Sequence, residues 1–412
     1  MSFQQGLSGL NAAARNLDVI GHNVANANTV GAKGSRAEFA DMYANTMNRA
    51  GANDIGIGVR VANVAQQFTQ GPITGTENPL DLAINGPGFF QVSNGRDAPM
   101  YTRNGQFKVD REGYIVNNDN LQLLGYATDA SGKVIPTEIG PLRLPTAGIS
   151  PEATTRVGME MNLDARLPVA DGPAFIANDP TTYNNATSVT VYDEKGQDVA
   201  LTFYFRKTAT DEWEIHATAN GDPVGTGAIA QVSFSSDGSQ ATTTPDPASF
   251  TVPGVTSASG GDTQPIPGVA LDLNNLTEYG ANFAVTDLSQ DGFAPGQLTD
   301  VSIDDTGVIM ARYTNGKSLP AGQVTIANFR NPQGLQPLGG NAWGITHASG
   351  TPVVGTPGNG NLGVLQSKAL EESNVDLTQE LVNMITAQRT YQANAQTIKT
   401  QDQILQTVVS LR

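Results

Sequence analysis

Apolar positions fall at helical spacing in two stretches, one at each end of the chain, and the sequence between them reads as strands and turns. Near the N-terminus Phe3, Leu7, Leu10, Ala14, Leu17, Gly21 and Val24 step by 4 and 3 in turn. That spacing predicts a helix with a heptad seam, two of whose members are small. Ser2 and Gln5 have capping-box spacing at its start, and Gly31 and Gly34 would stop or bend it.

The C-terminal stretch repeats the pattern. Leu377, Leu381, Met384, Gln388, Tyr391, Ala395, Ile398, Asp402, Leu405 and Val409 alternate steps of 4 and 3, behind a second capping box at Asp376 and Gln379. No Gly or Pro follows Gly363. A helix over 377–411 would be roughly 50 Å long. Gln388 and Asp402 are polar seam members, which weaken a simple dimer and set register. Taken singly, either pattern fits an amphipathic helix packed on its own domain. Two at opposite termini, each too apolar to stand alone, are expected to pair with each other, with neighbouring copies, or with both.

Between the ends, turn signals separate alternating runs. FKVDREGYIV (107–116), VTVYDEKGQDVALTFYF (189–205) and VSIDDTGVIMARY (301–313) each place a Gly where a hairpin needs positive φ. Residues 238–268 are rich in Ser, Thr, Pro and Gly and predict an extended loop or short edge strands. Proline-rich joints at 141–151 and near Pro295 bracket a middle segment as an insertion. No repeat of fixed period is present. The fold class expected is multidomain α+β. Terminal α-helices are expected to pair in a coiled-coil-like way, with antiparallel β-rich domains between them.

Composition sharpens this picture. The 412 residues exceed one ordinary domain, and 45 Gly and 23 Pro beside only 14 Phe and 2 Trp favour short strands. The net charge is −16, and residues 152–287 hold 18 acids against 5 bases, while the ends are nearly neutral. An acidic balance argues against nucleic acid, which needs clustered Lys and Arg. The acidic middle reads as a solvated outer surface. With no cysteine there is no disulfide, thiolate nucleophile or Cys-based metal site. The first residues lack a basic leader and apolar core, so no Sec signal is expected, and no 18-residue apolar run predicts a membrane span.

Candidate chemistry is sparse. His22, His216 and His347 are isolated from one another and from carboxylates at metal-ligand spacing. Residues 358–363 spell GxGxxG, but in a Pro-flanked Gly-rich segment with no strand before it and no helix immediately after. No GxxxxGK[ST] or GxSxG is present. Asn185 and Asn275 begin formal glycosylation sequons. No catalytic, cofactor or metal residue is expected, and the chain is not expected to be an enzyme.

NLDVIGHNVANANTVGAKGSRAEFADMY (16–43) resembles the N-terminal signature of the bacterial flagellar rod and hook protein family. ALEESNVDLTQELVNMITAQRTYQANAQTIKTQDQILQ (369–406) resembles its C-terminal partner. NPLDLAINGPGFFQV, YTRNGQFKVDREGYIV and NPQGLQPLGGNAWGIT resemble the family's inner β-domain, and VTVYDEKGQDVALTFYFRKTATDEWEIH the outer one that hook proteins insert. The likeness is weakest over 221–274. Ala32 departs from it, since the family usually has an aromatic before the lysine matching Lys33.

The resemblance implies five segments. They are the N-terminal helix and linker of a tube domain (1–75), the first half of an inner β-domain (76–147), an inserted outer β-domain (148–289), the second half of the inner one (290–362) and the C-terminal tube helix (363–412). It implies a helical homopolymer, with rod proteins, a hook cap, hook–filament junction proteins and the flagellar type III export apparatus as partners, in the extracellular flagellum. The two seams, apart from Gly21 and Asp402, would then be polymer interface, and Phe39 with Tyr43 resembles a short export signal. Crosslinks derived from Lys and Cys cannot form. A distal rod subunit and, from another class, a secreted β-rich polysaccharide hydrolase are the alternatives. The first lacks a large outer insertion, and the second needs a carboxylate pair about 5–10 Å apart.

Overall fold

The computed structural model describes residues 2–42, 56–129, 132–146, 148–170, 172, 174–239, 241–256 and 260–410. The chain divides into two compact units. Unit 1 holds residues 1–145, 300–312 and 318–412, and unit 2 holds 146–299 and 313–317.

Unit 1 begins and ends in helix. Helix α1 covers Ser2–Ala25 and helix α2 covers Leu377–Ser410. Between them the chain builds a 13-stranded sheet system. Its core collects Leu82, Ile84, Phe90, Phe107, Leu123, Leu142 and Ile326 from strands far apart in sequence. A second cluster sets Phe89, Tyr101, Phe329 and Trp343 edge to face, with ring centroids 4.7–5.9 Å apart. A long hairpin, Ser35–Met42 with Gly58–Gln66, follows α1. Two short ladders fasten the returning chain: Val364–Ser367 against Leu82–Asn85, and Ala369–Glu371 against Ile73–Gly75.

Unit 2 consists of a six-stranded and a four-stranded sheet sharing one core. Alternation puts Leu201, Phe203 and Phe205 inward from Asp198–Ala209 and leaves Thr202 and Tyr204 partly wet, as a two-period strand with one solvated face requires. Trp213 and Ile215 complete the core from Glu212–Ala219. Pairing is antiparallel except for Arg156–Asp164, which runs parallel to Ile266–Tyr279.

All three expected hairpins form: Lys108–Val109 with Ile115–Val116, Asn185–Tyr192 with Asp198–Ala209, and Leu298–Ile303 with Val308–Tyr313. Their turns use Gly113, Gly196 and Gly307 at φ 90°, 75° and 83°, where only glycine is unstrained. The Ser/Thr/Pro-rich segment supplies two short edge strands, Ala241–Thr244 and Ala248–Val252. The GxGxxG segment is a closed turn in which Gly358 N–H donates to the Gly363 carbonyl at 2.9 Å; contrary to expectation a short strand, Val353–Gly355, precedes it, and no helix follows it directly.

Helix ends differ in part from expectation. Asp376 Oδ1 accepts from the Thr378 and Gln379 amides at 2.8 and 3.1 Å, which satisfies orphan donors of the first turn. The reciprocal arm of the box is missing, because the Gln379 amide donates to Asn383 instead. Gln5 likewise donates to the Gly56 carbonyl at 2.5 Å.

Candidate assembly site

α1 and α2 lie antiparallel: Asn23 meets Glu380 at one end, and Gly6 meets Ile398 at the other. The residues that join them are Gly6, Gly9, Ala13, Asn16, Ile20 and Asn23, a second 3–4 series immediately beside the apolar one. Ala13, Ile20 and Asn23 are only 6%, 5% and 3% exposed. Close approach sets this choice. A Cβ on Gly6 would sit 3.1 Å from Ile398, and one on Gly9 would sit 2.9 Å from the Asn394 amide. On α2 the matching positions are Ala387, which is buried, with Glu380, Asn394 and Ile398 half-buried.

The apolar seams therefore do not zip to one another. On α1 the seam lies one residue, about 100°, around the helix from the contact line; on α2 the offset is smaller and Ile398 belongs to both, and in an antiparallel pair both rotations lead to the same side. Phe3, Leu7, Leu377, Leu381, Gln388, Tyr391 and Leu405 are exposed. Leu10, Ala14, Leu17, Val24, Met384, Ala395 and Ile398 are half-buried. The side chain of Val409 and all of Tyr43 lie outside the described residues. The helix pair thus presents an apolar ridge on one face, to which Ile385 adds a further exposed side chain. Phe39 is exposed on the hairpin strand Ser35–Met42.

The opposite face is a groove of about 950 Å³ between α1, α2 and that hairpin. Gly9, Ala12 and Val19 line it from α1, Gln379, Asn383, Thr386 and Thr390 from α2, and Ala37, Phe39 and Val59 from the hairpin.

The roots of both helices are fixed by one carboxylate. Glu371, fully buried, precedes α2. Its Oε1 accepts from Lys33 Nζ at 2.6 Å and the Gly71 amide at 2.9 Å, and its Oε2 from Arg103 Nη1 at 2.9 Å. Lys33 also donates to the Thr69 carbonyl at 2.8 Å, and Arg103 Nη2 to the Gly86 carbonyl at 2.8 Å. Burial pulls the pKa of both Lys33 and Arg103 below the usual values, while Glu371 works against it. Such a triad adds little net stability, but removing one member leaves buried charge uncompensated at about 3–5 kcal/mol.

Polar side chains complete the joint. Asn23 bridges the Ser35 carbonyl at 2.8 Å and Glu380 at 3.1 Å, and Asn374 ties the Gly34 amide to the Gln67 and Thr69 carbonyls. Sequence reasoning missed this joint. Lys33 and Glu371 are 338 residues apart, and only the setting of Lys33 among small residues, GAKG, hinted at a buried cation.

Among the described residues there is no group of three or more His, Asp or Glu placed to hold a metal. His216 stacks on Phe175 at 4.3 Å, and burial lowers its pKa. No helix among the described residues is long and apolar enough to cross a membrane.

Four family descriptions match the chain in order. They are the flagella basal body rod protein over 3–33, the flagellar hook protein FlgE/F/G D1 domain over 83–165, the flagellar basal body protein FlaE D2 domain over 162–293, and the flagellar basal body rod FlgEFG protein C-terminal region over 366–411. The flagellar hook protein FlgE of Salmonella typhimurium (strain LT2) is 41% identical, with 100% of both chains covered. That of Escherichia coli (strain K12) is 40% identical, again with 100% of both covered. The solved structure of Helicobacter pylori flagellar hook protein FlgE2 aligns with TM-score 0.55 at 16% identity, covering 72% of this chain and 100% of that one. At that identity the likeness speaks for the fold alone. Identity of this extent along whole chains, inserted unit included, makes the protein a member of the flagellar hook protein FlgE family.

Proposed function

We propose that the chain is the structural subunit of a bacterial flagellar hook. It polymerises through its terminal helices into a curved tube that couples rod to filament and transmits motor torque. The carrying observation is end-to-end identity to named hook proteins. The uncovered apolar ridge on the helix pair agrees with it, because a subunit of an open helical assembly must keep exposed surfaces that pair with different surfaces of its neighbours and do not close on a two-fold dimer.

In this reading the chain leaves the cell unfolded through the type III export apparatus, and Phe39 belongs to its signal. It meets rod proteins below, the hook cap during growth and junction proteins above, outside the cell. The ridge residues are polymer interface. The inserted domain tunes shape, and the five segments expected from the sequence are its functional parts. Matches to hook proteins along the whole chain favour a hook over a distal rod subunit and leave no support for a hydrolase. Electron microscopy of the purified chain tests the proposal: tubes of helical symmetry are expected, and a discrete monomer with hydrolytic activity would overturn it.

A further inference from the structure

The helix pair of unit 1 has two unlike faces, and they complement each other. One is the ridge led by Leu381 and Ile385, 45% and 51% exposed. On α2 these two point about 160° away from the residues that line the groove. The groove is lined by small side chains, Ala12 on α1 and Ala37 on the hairpin, which let another backbone come close. A ridge and a groove on opposite faces of one layer cannot meet within the same molecule. They can meet between copies, and each contact leaves a free ridge and a free groove for the next, so the series continues head to tail and forms a helical filament wherever the rotation between copies does not close a ring.

Charge points the same way. Asp376 and Glu380 line the groove, and Glu380 Oε2 is buried there with no hydrogen-bond partner among the described residues. The bases of α2 among the described residues, Arg389 and Lys399, are exposed and take part in no ion pair there. Lys399 lies five turns beyond Leu381 on the same line of the helix, and Arg389 one turn beyond Ile385.

We infer that the α2 ridge of one copy seats in the groove between α1, α2 and the Ser35–Met42 hairpin of the next copy. Arg389 and Lys399 are then brought toward the carboxylates in the groove. This rests on the hook reading and specifies which faces meet.

The absence of cysteine makes the test direct. Two single variants, Leu381→Cys on the ridge and Ala12→Cys in the groove, are assembled together into hooks and oxidised. The expected product is a disulfide dimer holding one copy of each, absent when either variant is assembled alone. As a second readout, Ala12→Cys is doped at low ratio into wild-type hooks, so that native copies carry the assembly. Its maleimide reactivity, present in the monomer, is expected to be lost in the tube. Disulfide dimers formed by Leu381→Cys assembled alone, or full maleimide reactivity of Ala12→Cys in intact tubes, would overturn the inference and leave the hook reading standing. Failure of the wild-type chain to form tubes would instead sink the hook reading itself.

Discussion

In unit 2, Phe203 and Phe205 are fully buried and Trp213 is 1% exposed, whereas in the helix pair Phe3, Leu7, Leu381 and Ile385 stand 44–51% exposed. Both regions carry strong apolar patterns, but unit 2 satisfies its own pattern and the helix pair does not. The difference lies in how each finds a second layer. Two sheets of one chain can face each other and hide both inner faces. Two helices hide only one stripe each, and here that stripe is taken by Gly6, Gly9, Ala13 and Ile20 instead of the larger side chains. A domain that completes its core alone is suited to being a passenger, and a pair that leaves large side chains wet is suited to assembly.

The largest effect is expected from the wet side. Leu381→Asp should leave the melting temperature of the β-parts unchanged and abolish hooks. If the ridge is polymer interface, it removes a Leu that assembly would bury, about 2–5 kcal/mol, and adds the desolvation of a charge. Thr400→Asp, exposed and turned away from both ridge and groove, is the charge-matched control. Normal hooks from Leu381→Asp, seen by electron microscopy, would remove the basis of the contrast.

A second test separates the helices from their mounting. Glu371→Gln strands two buried cations and should destabilise unit 1 by about 3–5 kcal/mol, read as a lowered calorimetric transition, with unit 2 unmoved. Replacing Lys33, Arg103 and Glu371 together by apolar residues of similar size should restore most of the loss. An unchanged transition in Glu371→Gln would show that the joint does not hold unit 1 together.

Milder still is the expected result of deleting residues 146–299 and joining 145 to 300 through a short Gly linker. Tubes should persist with altered curvature or stiffness. Loss of all polymer from a chain whose unit 1 is still folded would mean that unit 2 drives assembly.

The smallest effect concerns acid. Arg166 holds Asp164 in unit 2 at a pKa of about 2, below the ordinary 3.8. A depressed carboxyl pKa contributes stability that is full above the unfolded value and is lost as pH falls toward the folded one. Unit 2 should therefore weaken between about pH 4 and pH 2, and Asp164→Asn should flatten that slope in acid-melting curves.

The hairpins were legible because a Gly between two alternating runs is a local signal. Gly196 at φ 75°, with Asp193 Oδ1 accepting from the Lys195 and Gln197 amides, turns residues 185–209 back. The helices were legible as helices, but not which stripe pairs. α1 carries two 3–4 series side by side, and the eye follows Phe3, Leu7 and Leu10. Contact follows Gly6 and Gly9, whose value is the space they leave and which no hydrophobic pattern registers. The Lys33–Glu371–Arg103 joint was not legible as a joint, since it depends on three residues far apart in the chain, and only Lys33 carried any local hint.

That joint bears on how a turning tube would load its subunits. α1 leaves the β-part of unit 1 eight residues before Lys33, and α2 departs six residues after Glu371. Tying those two points together makes the helices the paired flanges of a beam clamped at one end. A pull along α1 and a push along α2 meet at a single carboxylate and largely cancel there, so the β-part feels a bending moment instead of a peeling force. Hydrogen bonds to a buried oxygen pair resist that shear in parallel and re-form in register when it relaxes.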